Sequence, residues 1–290
     1  MKKVKGWLVY DQAGAEYNKQ YINMHMDQAE ICDIELELKF AENICIEASG
    51  VKKTVKYDGK SEALPDFVIC RTINPKLSKE LEDCGIKVFN NSKVSEIAND
   101  KEKAYTYLEQ FKIPMLSHIP YCNEAFKEHY HSIPDGWVIK AVAGHGGSQV
   151  FLKGTDKEDD IRLGIGECDV VTQPLFDESM QDVRVYVIGN EIICAIRRTA
   201  VGGFKSNFSL GGSVDVYELS EEQKSVVNMV IKQFDFGLVG IDFLIGKDGR
   251  FIFNEIEDVV GARMLYKLTD INLVRLYLQF IINKCVHRGV

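Results

Sequence analysis

The chain alternates compact apolar runs with longer stretches in which apolar residues return every third or fourth position. GWLVY (6–10), DFVIC (66–70) and GIKVFN (85–90) are apolar runs bounded by polar or glycine positions, as buried strands are. NKQYINMHMDQAEICD and PKLSKELEDC lie between them with helical spacing. This β–α–β rhythm predicts a small parallel sheet covered by helices, because parallel strands need a crossover long enough to hold one. Neither GxGxxG nor GxxxxGK[ST] follows any of these strands, so the sheet carries no dinucleotide or phosphate-loop signature.

Further on, the rhythm changes. A helix starts in NDKEKAYTYLEQF and the chain breaks at KIPMLSHIP. WVIKAV (137–142) and SQVFL (148–152) read as a hairpin around GHGG, and KGTDKEDD as a turn with a short helix. DVVTQPLF (169–176) is a strand with Pro at its exit, where a missing N–H is tolerated. VRVYVIG (183–189) and EIICAIRR (191–198) flank Gly189-Asn190, a good short turn. Ser220 and Gln223 have capping-box spacing, and Val227, Val230, Ile231 and Phe234 follow as one helical face. GLVGIDFLI (237–245) and FIFNEIE (251–257) form a hairpin over KDGR, and LTDINLVRLYLQFIINK is a terminal amphipathic helix. The order is an α/β beginning followed by antiparallel hairpins with interspersed helices.

Composition narrows the class. At 290 residues, with 46% hydrophobic and 27% charged positions, the chain can bury cores for two or three domains or subdomains. The net charge of −8 argues against nucleic acid as the main partner, though a locally basic cleft can still hold a nucleotide. Eight scattered cysteines without a CxxC pair predict a reducing, cytoplasmic setting and no disulfide scaffold. The apolar run after MKKVKG is shorter than the roughly 7–15 residues of a signal-peptide core. No apolar stretch approaches the length of about 18 residues expected of a membrane-spanning helix.

Three constellations carry chemistry. In VIKAVAGHGGSQVFL, Lys140 sits inside an apolar strand, which is costly unless its ammonium meets a partner. Gly144, Gly146 and Gly147 follow and let backbone amides approach a ligand closely. A fixed cation beneath such a lid suits phosphate; the bland reading is a snorkelling lysine beside a glycine turn. Second, hairpin pairing brings Asp242 near Glu255 and Glu257, which share a strand face. Three hard oxygen donors suit magnesium, whereas an acidic hairpin edge is the alternative. Third, Asp182 and Arg184 alternate on one strand face, Arg198 ends the next strand, and Lys205 and Asn207 occupy a glycine-flanked loop. Cations there would offset charge developing in phosphoryl transfer, or make surface ion pairs.

Together these blocks resemble the ATP-grasp superfamily, closest to RimK-like carboxylate–amine ligases of the ribosomal-protein glutamate ligase type. The matching order runs NDK (99–101), VIK with GHGGSQV (138–150), TQPLF (172–176), QDVRVYVIG (181–189), AIRR (195–198), FKSNFSLGG (204–212), GIDFL (240–244) and NEIEDVVG (254–261). The resemblance implies an α/β ATP-grasp fold preceded by a small Rossmann-like domain, divided as 1–97, 98–170 (lid subdomain) and 171–290 (subdomain with the metal site). It implies that Lys101 and Lys140 contact the nucleotide phosphates, with Gly146 and Gly147 in the lid. Gln173, Pro174 and Leu175 would form the adenine hinge, through the carbonyl of 174 and the amide of 175. Asp182 and Arg184 would join the nucleotide site, and Lys205, Ser206 and Asn207 would close on the phosphates. Arg198, with Lys140 and Asn207, would serve the transferring phosphoryl group. Asp242, Glu255 and Glu257 would bind magnesium or manganese. The family usually has asparagine in place of Glu257 and an acid in place of Pro174.

The activity so implied is ATP-dependent ligation of a carboxylate to an amine or thiol through an acyl phosphate, releasing ADP and phosphate. The expected partners are ATP, a small carboxylate and an amine acceptor, whether amino acid or protein terminus, with neither nucleic acid nor membrane; a homo-oligomer is compatible. Two rivals stay open: an ATP-grasp kinase acting on a small molecule, and a non-catalytic nucleotide sensor. Arg71 and Arg263 are further candidates, each able to clamp a substrate carboxylate.

Overall fold

The computed structural model describes residues 3–49, 52–176, 181–199 and 213–286. It opens with strand β1 (Val4–Tyr10), helices α1 (Gln12–Tyr17) and α2 (Lys19–Ile31) and strand β2 (Ile34–Phe40). An antiparallel ribbon follows, β3 (Ile44–Ser49), β4 (Lys52–Tyr57) and β5 (Lys60–Ser61). Strand β6 (Phe67–Cys70), helix α3 (Pro75–Asp83) and strand β7 (Lys87–Phe89) complete this part. Four of these strands make one all-parallel sheet in the order β2-β1-β6-β7. The central strands are buried on both faces, so Trp7–Tyr10 and Phe67–Cys70 are continuous apolar runs. Helix α3 starts where the Asn74 side chain accepts from Leu77 N–H and Pro75 enters the first turn. Hydrophobic periodicity predicts no strand between residues 32 and 65. IELELKF is half charged and ICIEAS is short, and only pairing with β1 and with KKTVKY makes them strands.

Helices α4 (Ser92–Ala98) and α5 (Lys101–Glu109) lead into the second sheet. That sheet contains β8 (Ile119–Tyr121), β9 (Trp137–Ala141), β10 (Val150–Leu152) and β11 (Val170–Pro174), with helices α6 (Asn123–His129) and α7 (Glu158–Ile165). The strand order is β10-β9-β11-β8, antiparallel throughout. Ile139, Ala141 and Val170 on one face pack with Phe126 and Ile161 of the helices. Strand alternation turns Val138 and Lys140 to the other face, where a cleft lies.

The third sheet has the order β14-β13-β12-β15-β16. Its strands are β12 (Gln181–Ile188), β13 (Glu191–Thr199), β14 (Ser213–Val216), β15 (Leu238–Ile245) and β16 (Phe251–Glu257), with helix α8 (Glu221–Ile231) ahead of β15 and helices α9 (Arg263–Leu268) and α10 (Leu273–Val286) behind β16. The reciprocal capping box is present at Ser220 and Gln223. One sheet face is apolar over its central strands, where Val183, Val185, Val187, Ile241 and Phe243 pack with Val227 and Val230 of α8 and with Tyr105 and Leu108 of α5, and carries the Arg197–Asp215 ion pair at its β13–β14 side. The opposite face is split along the strands. Tyr186, Ile188, Cys194 and Leu238 lie in a core shared with α10 and the parallel sheet, while the other half carries the charged residues. Among the described residues, no helix is long and apolar enough to cross a membrane.

Candidate active site

The charged half of that face is built by register. Strand pairing sets Asp182 opposite Arg198, and Arg184 opposite Asp242, which in turn faces Glu255. Simple alternation along FIFNEIE would send Asn254 and Glu255 to opposite faces. An irregularity opposite Asp242/Phe243 inserts Asn254 as the extra residue and resets the phase. Phe251, Phe253 and Ile256 therefore stay in the core, and Asn254 and Glu255 both line the cleft. Oxygens of Asp242, Glu255 and Glu257 come within 4.8 Å of one another. Three hard carboxylate oxygens at that spacing are the donor set that magnesium takes.

Two arginines hold this acidic cluster together. Arg184 donates through Nε to Asp242 Oδ1 at 2.8 Å and through Nη2 to Asp242 Oδ2 at 2.7 Å and Glu257 Oε1 at 2.5 Å. Arg198 donates to Asp242 Oδ2 at 2.7 Å and to both oxygens of Asp182. Asp242 is fully buried, which alone would raise its pKa, yet the two guanidiniums hold it down at about 2. For Glu257 and Asp182 burial wins, and both carboxyls titrate above their ordinary range. Gly240 makes the packing possible, since a Cβ there would stand 2.7 Å from Val260 Cγ2 and 3.3 Å from Arg184 Cδ.

Across from the acids stand the lysines. The Asp100 side chain caps α5, and the backbone N–H of Lys101 donates to the Val142 carbonyl at the end of β9. Lys101 Nζ donates to the Gly144 carbonyl and lies 3.6 Å from Glu255 Oε2. Lys140 Nζ donates to Asn254 Oδ1 at 2.9 Å, tying the second sheet to the third. Burial lowers the Lys140 pKa to about 8, with Glu255 opposing and Lys101 adding to the shift. Gly146 and Gly147 take positive φ, 64° and 73°, in the turn above.

The cleft between these groups encloses about 840 Å³ including its mouth. Of the residues singled out from sequence, Lys101, Lys140, Gly144, Gly147, Gln173, Pro174, Leu175, Asp182, Arg198 and Glu255 line it. Arg184 is turned to the acids instead of the open cleft, and Asp242 lies beneath the surface. Lys205, Ser206 and Asn207 fall outside the described residues. One expectation needs correcting. The Leu175 amide donates to the Gly136 carbonyl at 3.1 Å, so it is committed to the sheet and not open to an adenine ring. Alternation sends the Pro174 carbonyl to the opposite edge. Sequence reasoning also passed over Asn254 and Tyr105, whose hydroxyl donates to the Asn254 carbonyl at 2.8 Å. The visible signal was the phase break in FIFNEIE.

Comparison with known proteins decides the family: residues 98–281 match the RimK-like ATP-grasp domain. The chain belongs to the RimK-like ATP-grasp family. Uncharacterized protein MG011 of Mycoplasma genitalium is 27% identical over 290 residues, covering 98% of this chain and 94% of its own. A probable alpha-L-glutamate ligase of Vibrio vulnificus (strain YJ016) is 26% identical over 246 residues, 78% of this chain and 79% of the relative. Among solved structures, the ATP-grasp ligase PsnB, complexed with a phosphomimetic variant of its minimal precursor, Mg and ADP, aligns with a TM-score of 0.68 at 19% identity. That alignment covers 98% of this chain and 99% of PsnB, so the shared ATP-grasp architecture includes the N-terminal parallel sheet.

Proposed function

We propose that this ATP-grasp protein is a magnesium-dependent ligase that joins a carboxylate to an amine through an acyl phosphate, releasing ADP and phosphate. The observation that carries the reading is the convergence of Asp242 and Glu257 on Glu255, which lines a cleft that Lys101 and Lys140 also line. Magnesium held by the three acids would draw charge from the phosphate oxygens. Lys101 and Lys140 would hold the phosphates in line beneath the Gly144–Gly147 turn. The adenine would meet the Pro174 carbonyl, with the amide of Phe176 the next donor on that strand edge. Arg198, anchored by Asp182 and Asp242, would offset negative charge developing on the transferred phosphoryl group.

The substrate carboxylate oxygen attacks the γ-phosphorus and the bond to the β-bridging oxygen breaks, leaving ADP. The amine then attacks the acyl carbon, phosphate departs and the nitrogen loses a proton. Closing the cleft would keep water from an intermediate that otherwise hydrolyses. Functionally, 1–97 would be the unit ahead of the grasp, 98–170 the lid and 171–290 the metal-bearing unit. The glutamate-ligase name of the Vibrio relative and the magnesium and ADP in PsnB support the same chemistry.

The test is an ADP-release screen over carboxylates with and without amines, with hydroxylamine present in parallel and products read by mass spectrometry. Hydroxamate formation and amine-stimulated ADP release are expected. A phosphorylated product formed without any amine would instead make the protein a kinase, and nucleotide binding without turnover on any pair would make it a sensor.

A further inference from the structure

The parallel sheet ends on a long strand with an open side. Strand β2 runs without interruption from Ile34 to Phe40 and pairs with β1 alone. The other edges of the three larger sheets are shorter or blocked. Strands β7, β8, β10 and β14 have three or four residues each, and β16 is bridged at Phe253 by Met115. A long edge with neither proline nor bulge is a template for a further strand.

The ladder fixes which groups that edge presents. The carbonyls of Lys5 and Val9 accept from Asp66 and Arg71 on the β6 side, so the even-numbered residues of β1 turn to β2. In a parallel ladder the odd-numbered residues of β2 answer them, and Leu36, Leu38 and Phe40 turn their N–H and C=O outward. The Phe40 N–H accordingly reaches the Tyr57 hydroxyl at 3.3 Å. Among the described residues, nothing bonds the outward groups of Leu36 and Leu38. The two faces of the strand differ in chemistry. On the side of α1 and α2, Leu38 and Phe40 line a groove of about 720 Å³, including its mouth, with Ala15 and Ile22. Glu35, Glu37 and Lys39 alternate on the other face. Glu37 keeps 48% of its side chain exposed and lies 2.9 Å from Lys39 Nζ.

This pattern is complementary to itself. A two-fold axis normal to the sheet would pair β2 antiparallel with a second β2, and the possible registers differ in the charges that they oppose. Centring on Leu36 sets Glu35 against Glu37 of the second copy. Centring on Glu37 sets that carboxylate against itself, and centring on Lys39 does the same to the ammonium. Centring on Leu38 sets Glu37 against Lys39 of the second copy on both sides of the axis and opposes no like charges. Opposite charges directly across two strands favour pairing, and like charges disfavour it. The same register lays Leu38 on Leu38 and Leu36 on Phe40 along the helix face, beside the groove. It also lets the outward N–H and C=O groups of the two strands bond each other, with a carbonyl replacing the long contact from Phe40 to Tyr57.

We propose that β2 is the interface of a two-fold homodimer, in which the strands of two copies pair antiparallel about Leu38 and join the two parallel sheets into one. This goes beyond the ligase reading and does not rest on it.

The test is sedimentation velocity on the full chain between about 1 and 100 µM, where micromolar association is visible. The wild type should dimerise in that range. Glu37→Lys opposes like charges on both sides of the axis and should weaken the dimer by about thirtyfold. Leu38→Pro removes an outward N–H, leaves the ladder to β1 its bonds, and should abolish the dimer. Facing residues of a hydrogen-bonded pair lie about 5.5 Å apart at Cα, within disulfide reach, so oxidised Leu38→Cys should join position 38 of both copies. Leu36→Cys, which faces Phe40, should not join to itself; peptide mass spectrometry separates either link from the native cysteines. A chain that stays monomeric throughout overturns the proposal and leaves the edge to a strand of another protein. A dimer unchanged by Glu37→Lys and Leu38→Pro overturns it, as does one that links through position 36 and not 38. Should Leu38→Pro fail to fold, Glu37→Lys and the two cysteine variants decide.

Discussion

Lys140 offers the sharpest test of the nucleotide site, because its charge is poised to disappear within an accessible pH range. Its ammonium is held in a partly buried position, beside Lys101, and its pKa is lowered to about 8. Phosphate binding needs the protonated form, so the apparent dissociation constant should scale as 1 + 10^(pH − 8). That factor is about 1.1 at pH 7, about 11 at pH 9 and about 33 at pH 9.5. Lys140→Gln keeps a polar stem but removes the charge, and should weaken binding at pH 7 by about 10–150-fold, the range for one charge-assisted contact. Its affinity should then be flat across the same pH range. The assay is calorimetric titration of Mg·ADP, whose phosphates stay fully ionised between pH 7.5 and about 9.5.

The linkage sign separates this effect from alkaline unfolding. A folded-state pKa below the unfolded value of about 10.4 means that the unfolded chain binds more protons between the two. The Lys140 contribution to stability therefore improves as pH rises from about 8 to about 10.4, while nucleotide affinity falls. Wild-type affinity that stays constant to pH 9.5, or a variant whose pH profile parallels the wild type, would refute the assignment of Lys140 to the phosphates.

Asp242→Asn leaves two buried guanidiniums underneutralised and should cost about 3–5 kcal/mol in denaturant titrations, with loss of magnesium-dependent nucleotide binding. Because Asp242 titrates at about 2, below its unfolded value of about 3.9, its stabilisation is full above that unfolded value and lost as pH falls through 2. The variant should accordingly flatten the acid limb of the unfolding profile. Asn90→Ala strips hydrogen bonds from the Leu238 and Asp258 carbonyls, the Asp258 side chain and the Gly237 amide, and should cost about 2–4 kcal/mol by the same measurement. Ser220→Ala breaks the cap of α8 far from the cleft; it should cost about 1 kcal/mol and leave Mg·ADP affinity unchanged.

Most elements were legible because their signals are local. A hairpin over KDGR, a cap at Ser220 and a Pro at the end of β11 each follow from residues within a few positions, and the acids of GIDFL and NEIE follow from hairpin pairing. Strand β2 and the β3–β4 ribbon were not, since charged sequences such as IELELKF and KKTVKY become strands only when a neighbour supplies the other half of the ladder. In the cleft the residue types were legible but several assignments were not. The Leu175 amide goes to Gly136, a group 39 positions away, and Arg184 turns to acids on β15 and β16.

Apart from β8, α6, β14 and α9, the chain's own periodicity sets the strands and helices of the grasp region, the order of the family blocks and the set of acids and lysines available for ATP chemistry. These depend on side-chain periodicity and turn chemistry, which act over short spans. Long-range packing alone makes Asn254 the extra residue of a bulge, leaves room beside Gly240 for Arg184 and Val260, and buries Arg71 against the Tyr21 ring and the Val260 carbonyl. Those outcomes depend on which groups from distant parts of the chain share a buried space, where every charge and hydrogen-bonding atom must find a partner or remain without one.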